Sequence, residues 1–539
     1  MNDTQKKLYE LLTKFDGLCK KFGIVYYLGG GSALGAVRHK GFLPWDDDVD
    51  LYITRKNYLK LLEVEDQFFD DDFVLVNSDK YPRYGNTLVR CVDTHSTAIT
   101  KARMVDETPK GQFVELFILD PLPRDKDEQS TWFTKHWIYT ELLSYAFCVC
   151  NVRIASHIDE ELYYSYLKKY KTLGRKKVLK ELEEYLFTID ESQADQYCSR
   201  WGFRNLIYNI EWFGEPRYVP FEDTFLPVAA YAENVLRFDY GDNWMYIPNV
   251  EEQVTHSFAE SMNIGYKNIV KDYRQFFDAN QIFETYIKRK DLQMEVHFAN
   301  LKAHFERANL KKAQVLASIE YKSKHSDQLD KWFEEYNMDA IENFFSQWYL
   351  NQFHDSFWSW KTLLRLDDHL LYLALMPVLL KGTYSKVRTI LLWRAEEGAL
   401  SDELKNMQDF VEHIRDAYIA LDNHALSSCT AILDEIKQIP LPYKEKQLDY
   451  RKLALQTAIS NTTESDALNR LKEDCQSLLN DFPDNGEILC CMADIYYKLH
   501  DHEKAAELYR LAYGNTSHGF VRMHIEEIMN TLNEDVVLL

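Results

Sequence analysis

A short β-branched and aromatic run, Ile24 to Leu28, stops at Gly29-Gly30-Gly31, and Ser32-Ala33-Leu34-Gly35 follows with helical character. A chain that passes from strand to helix through three glycines has little choice of local structure. Without Cβ atoms the backbone turns sharply and approaches a ligand closely. The helix expected from about Ser32 presents N–H groups that lack intrahelical acceptors, which is the arrangement of a phosphate seat. Further on stands Asp48-Val49-Asp50-Leu51. Alternation along a strand puts Asp48 and Asp50 on one face while Val49 and Leu51 point into a core. Two converging carboxylates suit Mg²⁺, with Mn²⁺ as the alternative ion, because such hard cations take oxygen ligands and keep water and substrate phosphate in their other positions.

Gln112 to Leu119 repeats the device, with Glu115 between Val114 and Leu116 as a single carboxylate in an apolar strand. Glu115 is therefore the expected third member of the site. Taken singly, each piece has a plainer reading: a glycine run is a turn, an Asp cluster a solvated loop, a strand Glu a residue facing water. Their order, with apolar residues flanking both carboxylate positions, favours convergence in one cleft.

Further strands are predicted at Val49–Ile53, Phe73–Val76, Asn86–Val92 and Thr97–Thr100. Thr54 is expected to cap a helix that carries Tyr58, Leu61 and Leu62 on one face. The front of the chain thus reads as an α/β or α+β domain with a mixed sheet. From about Glu128 to Phe203 the pattern turns helical. Pro216, Pro220, Pro227 and Pro248 then punctuate loops and short elements, and beyond about Met262 the pattern is helical throughout.

The 539 residues exceed what one core organises, so two or three domains are expected: a catalytic domain over 1–260 with a helical insertion at about 128–203, a connector over 261–300, and helical repeats over 301–539. Counted from Gly486, residues Leu489, Met492, Ala493, Tyr496, Ala505, Tyr509 and Ala512 fall where a tetratricopeptide repeat places its packing residues, with Pro483 ending the preceding unit. A degenerate solenoid is expected here, with a plain helical bundle as the alternative, and either offers a surface for a protein partner.

The formal charge of −22 argues against a nucleic-acid partner, whose backbone demands clustered Lys and Arg. The Lys-rich stretch Lys168 to Lys180 runs into Glu181, Glu183 and Glu184, as on a solvated helix face. Among the nine cysteines the close groups Cys148/Cys150 and Cys490/Cys491 lack the spacing of a zinc site and read as free thiols of a reducing cytosol. No apolar signal core is read at the N-terminus, and the longest apolar run, Leu370 to Leu380, is too short to span a bilayer and contains Pro377.

Gly-Gly-Ser followed by Asp-x-Asp and a later lone carboxylate resembles the nucleotidyltransferase superfamily. The longer string from Tyr27 to Leu51, with Arg38-His39-Lys40-Gly41 and Pro44-Trp45-Asp46-Asp47-Asp48, resembles the LicD family. The likeness continues through Gly111–Asp120, Pro220-Phe221-Glu222, Tyr240-Gly241-Asp242 and Ile247-Pro248 to His256, about the first half of the chain. The resemblance implies a nucleotidyltransferase fold and a Mg²⁺-dependent phosphotransferase. Its expected reaction takes phosphorylcholine, or a related alcohol phosphate, from a CDP-alcohol donor to a sugar hydroxyl of a cell-surface glycan such as teichoic acid or capsular polysaccharide. Fukutin-related proteins, similar in the same motif, imply polyol phosphates as alternative cargo.

Carried over by position, Asp48 and Asp50 hold the metal, Gly30, Gly31 and Ser32 bind the donor phosphates, Arg38 meets the diphosphate, and Glu115 serves as metal ligand or base. Many relatives have Asp-Ile-Phe where this chain has Glu115-Leu116-Phe117, a longer side chain that still supplies a carboxylate. A lipid-linked or nucleotide-linked saccharide acceptor is implied, with the enzyme in the cytoplasm or peripheral at the inner face of a membrane.

His39 and Lys40 lie on the loop between the two motifs, where contact with substrate and plain solvation are both open. If choline is the cargo, Trp132, Trp137, Tyr139 and Tyr145 are the aromatic walls available, core packing being their alternative role. Two other functions are weighed: nucleotidyl transfer from a nucleoside triphosphate, and an interaction scaffold built on the repeats.

Overall fold

The computed structural model describes residues 1–100, 103–145, 159–201, 204–249, 253, 259–349, 363–423 and 425–532. Helix α1 (Asp3–Phe22) opens with a capping box between Asn2 and Gln5 and closes on Gly23 at φ 63°. Leu8, Leu11, Leu12, Phe15 and Cys19 recur at helical spacing and are buried, each at a gain of about 1.5–3 kcal/mol for the larger apolar side chains. Strand β1 (Tyr27–Leu28) leads into α2 (Gly30–His39), so the helix begins at the glycines themselves rather than at Ser32. Then come β2 (Asp50–Thr54), α3 (Arg55–Glu63), the single turn α4 (Glu65–Phe68), β3 (Phe73–Val76), β4 (Val89–Asp93), β5 (Thr97–Ile99) and β6 (Phe113–Pro121). Thr54 caps α3 by accepting from the Asn57 amide, and Tyr58 and Leu61 are buried while Leu62 is half-buried.

The sheet order is β1-β2-β6-β4-β3, extended from β6 by β7 (Gln196–Trp201) and β8 (Arg204–Asn209). Only the β2–β6 pair runs parallel among these described strands. The mixed sheet with flanking helices is the expected class. Helices α5 (Lys126–Leu143), α6 (Glu160–Leu173) and α7 (Arg175–Leu186) pack into one apolar cluster beside it. The helical pattern read through to Phe203 stops earlier, because Gln196 onward pairs as a hairpin.

A second hairpin, β9 (Arg217–Phe221) and β10 (Thr224–Val228), precedes α8 (Ala232–Tyr240), β11 (Ala259–Ser261) pairs with β5, and α9 (Tyr266–Arg274) follows.

Residues 1–244 with 248–304 form one compact unit, and 305–539 with 245–247 form the other. The division falls within α10 (Ala279–Ser323). The second unit continues as α11 (Ser326–Glu334), α12 (Met338–Tyr349), α13 (Asp368–Leu380), α14 (Tyr384–Glu397), α15 (Asp402–Asp422), α16 (Leu426–Gln438), α17 (Leu448–Asn461), α18 (Ser465–Asp481), α19 (Gly486–Lys498), α20 (His502–Asn515) and α21 (Gly519–Thr531). It is all-helical, as expected. The apolar run of α13 is buried on every side, Leu370 through Leu379, as a helix without a polar face must be. Among the described residues no helix is long and apolar enough to cross a membrane.

Candidate active site

Parallel pairing of β2 with β6 sets Asp50 directly beside Glu115, and antiparallel pairing of β6 with β4 sets Glu115 beside Arg90. Register partners project to the same face, so Asp50, Glu115 and Arg90 form a row across the sheet. Glu115 accepts from Arg90 Nε at 2.6 Å, and the guanidinium lies over the Phe113 ring at 3.8 Å. Burial alone would lower the Arg90 pKa, but Glu115 and Tyr84 outweigh it and hold the group above its usual value.

The glycine turn lies against the carboxylates. A Cβ on Gly30 would stand 2.6 Å from Asp50 Oδ2, and one on Gly31 would stand 2.7 Å from Asp46 Oδ2. Gly30 also has φ +45°. The Gly30 position therefore favours glycine for both backbone and space, and the Gly31 position for space alone. The Gly29 amide donates to the Asp50 carbonyl at 2.8 Å, and the Asp50 amide donates to Ser32 Oγ at 3.0 Å. The Ser32 hydroxyl thus ties the start of β2 to α2, while the amides of Gly30, Gly31 and Ser32 stand in the first helical turn.

Asp48 precedes the strand rather than lying in it, half-buried beside fully buried Val49. Its loop is fixed from α1: buried Gln5 donates through Nε2 to the carbonyls of Leu43 at 3.0 Å and Asp46 at 3.1 Å. Asp50 is pushed well above the ordinary carboxylate pKa by burial first, then by Asp48, Glu115 and Asp46, with Arg90 opposing. Asp46, Asp48, Asp50 and Glu115 act on one another electrostatically and offer only hard oxygen donors, so the donor set fits Mg²⁺ or Mn²⁺. The set is open: no three of these carboxylates bring an oxygen each within 4.8 Å of one another, since among the described residues only Cys490, Asp494 and His524 meet that condition.

Arg38 is 2% exposed, donates to the Trp244 carbonyl at 2.7 Å, and is brought down to about 10 by burial. His39 has its ring edge-on to Trp45 at 6.0 Å. Lys40 is an exposed C-cap at φ 59°. The loop they enter is clamped by Glu222, which accepts from the Phe42 amide at 3.0 Å and whose own amide donates to the Lys40 carbonyl at 2.8 Å. Tyr240 closes the set: burial raises its pKa, and Asp50, Asp239, Asp46 and Asp48 raise it further. Beside it Asp239 accepts from the hydroxyls of Tyr52 at 3.0 Å and Tyr208 at 2.7 Å.

Trp132, Trp137, Tyr139 and Tyr145 are buried in the apolar cluster of α5 to α7, where Trp132 donates to the Leu186 carbonyl at 3.0 Å. They pack as core, and do not converge on the carboxylates. His256, Cys148 and Cys150 lie outside the described residues. No site role was read from the sequence for Gln5, Arg90, Asp46 or Tyr240. Asp46 and Tyr240 had a visible signal, their places in the Pro44–Asp48 and Tyr240–Asp242 strings of the resemblance; Gln5 and Arg90 are brought in by helix packing and strand register.

Residues 23–146 match the family model described as LicD/FKTN/FKRP, nucleotidyltransferase domain. The lipopolysaccharide cholinephosphotransferase LicD of Haemophilus influenzae is 27% identical over 267 residues, which is 48% of this chain and 97% of that protein. An uncharacterised protein of Rickettsia typhi is 30% identical over 112 residues, covering 20% of this chain and 35% of the relative. One of Rickettsia prowazekii is 39% identical over 61 residues, 11% of this chain and 23% of the relative.

Proposed function

We propose that the first unit, whose residues 23–146 match the LicD-family model, is a Mg²⁺-dependent phosphotransferase. It moves phosphorylcholine, or a related alcohol phosphate, from a CDP-linked donor to a sugar hydroxyl of a cell-surface glycan. The observation that carries this reading is Asp50, set against Gly30 on one side and in register with Glu115 on the other, with Asp46 and Asp48 adding charge. The name of the Haemophilus influenzae relative supports the cargo and points to lipopolysaccharide as the acceptor class; teichoic acid and capsular polysaccharide are further acceptors of the same chemistry.

In this mechanism the first-turn amides of Gly30, Gly31 and Ser32 bind donor phosphate oxygens, and Arg38 at the other end of α2 adds positive charge toward the diphosphate. Asp48 and Asp50 would hold the cation. When bound, Mg²⁺ neutralises charge on the phosphate oxygens. Arg90 holds one oxygen of Glu115, which leaves the other either to ligate or to accept the proton of the attacking sugar hydroxyl. Orientation supplies much of the acceleration, since the phosphoryl group needs only alignment of nucleophile and leaving group.

The helical unit is proposed as a tetratricopeptide-like array that offers a surface to a protein partner, and the enzyme as a cytoplasmic or membrane-peripheral protein meeting a lipid-linked saccharide at the inner face. A thermal-shift series with CDP-choline, CDP-glycerol, CDP-ribitol, CTP and ATP, each with and without Mg²⁺, tests the donor class. Mg²⁺-dependent stabilisation by one CDP-alcohol is expected. Stabilisation by a triphosphate alone would replace this reading with nucleotidyl transfer.

A further inference from the structure

Cys490 and Asp494 stand four residues apart on α19, which places both on one face of that helix. Facing them from α21 is His524. One ligand atom from each, the Cys490 thiol, an Asp494 carboxylate oxygen and an imidazole nitrogen, all lie within 4.8 Å of one another. We propose that Cys490, Asp494 and His524 form a binding site for a divalent d-block cation of the zinc class, separate from the carboxylates of the first unit.

The donor set selects the ion. Thiolate, imidazole and carboxylate together are ligands of Zn²⁺, whereas Mg²⁺ and Ca²⁺ take oxygen alone. Bonds of roughly 2.0–2.3 Å in a tetrahedron put ligand atoms about 3.3–3.8 Å apart, so a contraction of the order of 1 Å closes the trio around an ion. His524 Nε2 now shares a hydrogen bond with Asp494 Oδ1 at 2.8 Å, which an ion would replace by inserting between the two atoms. The Tyr509 hydroxyl from α20 donates to the same carboxylate oxygen at 2.5 Å, which fixes its rotamer from behind as outer-shell partners of metal ligands do.

Access is asymmetric. The side chains of His524 and Asp494 are 45% and 23% exposed, while Cys490 is buried at 5%. An ion would enter past the imidazole and meet the thiol at the floor, with solvent or a partner's side chain in the fourth position. Cys475 on α18 is engaged elsewhere, donating to the Ile488 carbonyl at 3.4 Å. The spacing of Cys490 and Cys491 carried no zinc signal because the remaining ligands come from a later turn and from another helix. An ion held there ties α19 to α21, and its loss would loosen that pair.

The test is a Co²⁺ titration of the full-length protein after treatment with a chelator. The expected result is a thiolate-to-cobalt charge-transfer band with tetrahedral ligand-field bands, saturating at one ion per chain and bleached by Zn²⁺. Cys490→Ser should lose the charge-transfer band. His524→Gln, a change at a partly exposed site, should weaken binding by roughly tenfold or more. Absence of the band in the wild-type protein overturns the proposal, and so does a band of unchanged intensity and affinity in both variants. Ligand-field absorption without charge transfer would place the cobalt on carboxylates and overturn it equally.

Discussion

At Gly30 and Gly31 one added methyl group meets the site's own carboxylates. Gly30→Ala meets a positive φ and a carboxylate oxygen at once. It should cost about 1 kcal/mol or more of stability and abolish the Mg²⁺-dependent thermal shift by displacing Asp50. Calorimetry with and without Mg²⁺ reads both effects. Asp50→Asn separates chemistry from folding. Turnover should fall by roughly 10²-fold or more, yet the melting temperature in chelator should rise, because a buried charge repelled by Asp48, Glu115 and Asp46 has been removed. An active Asp50→Asn enzyme would contradict the site. At this scale the sequence was informative where chemistry is local: glycines after a strand and acids between apolar residues announce themselves. Gln5 and Arg90 do not, because each acts through a partner distant in the chain, on the Asp46 loop and on Glu115; Glu222 stood in a string of the resemblance, but its hold on Phe42 was not legible there.

Strand β6 organises the site because it receives β2 on one edge and β4 on the other. The presence of these strands was legible from alternation, but their pairing was not. Alternation fixes which residues share a face and leaves open which strand lies alongside. Arg90→Gln tests that pairing. It strands Glu115 in a row already rich in negative charge, and should cost about 3–5 kcal/mol, seen as a lower denaturation midpoint. Mg²⁺ should restore part of the loss if Glu115 ligates the ion.

Helix α8 offers a prediction in pH. Burial raises the Asp239 pKa to about 6, against the favourable hydroxyls of Tyr208 and Tyr52. Its folded value exceeds the unfolded 3.8, so the folded state keeps a proton that the unfolded chain releases. The penalty is absent below about pH 3.8, grows as pH rises toward 6, and is constant above. Asp239→Asn should therefore flatten the change in melting temperature between pH 4 and 6 relative to the wild-type protein. An unchanged slope would remove Asp239 as its source. The hairpin of β9 and β10, read from its prolines as loops and short elements, acts as a clamp because Glu222 at its turn holds the Lys40–Phe42 loop.

For the whole molecule, the helical character of the second unit was legible because its apolar residues keep a period near 3.6. The entirely buried α13 shows the limit of that signal, since an apolar run without a polar face carries no direction of packing. Chemistry in the proposed function resides in the first unit, so shortening the chain within the second should spare turnover on a minimal sugar and reduce it on polymer acceptor. Equal activity on both would remove the recruitment role from the helical array. The central claim is tested most directly by the product released when the full-length protein is incubated with CDP-choline, Mg²⁺ and a glycan extract. The account predicts CMP, dependent on Mg²⁺ and absent with Asp50→Asn. Pyrophosphate from a nucleoside triphosphate, with no CMP from any CDP-alcohol, would contradict it.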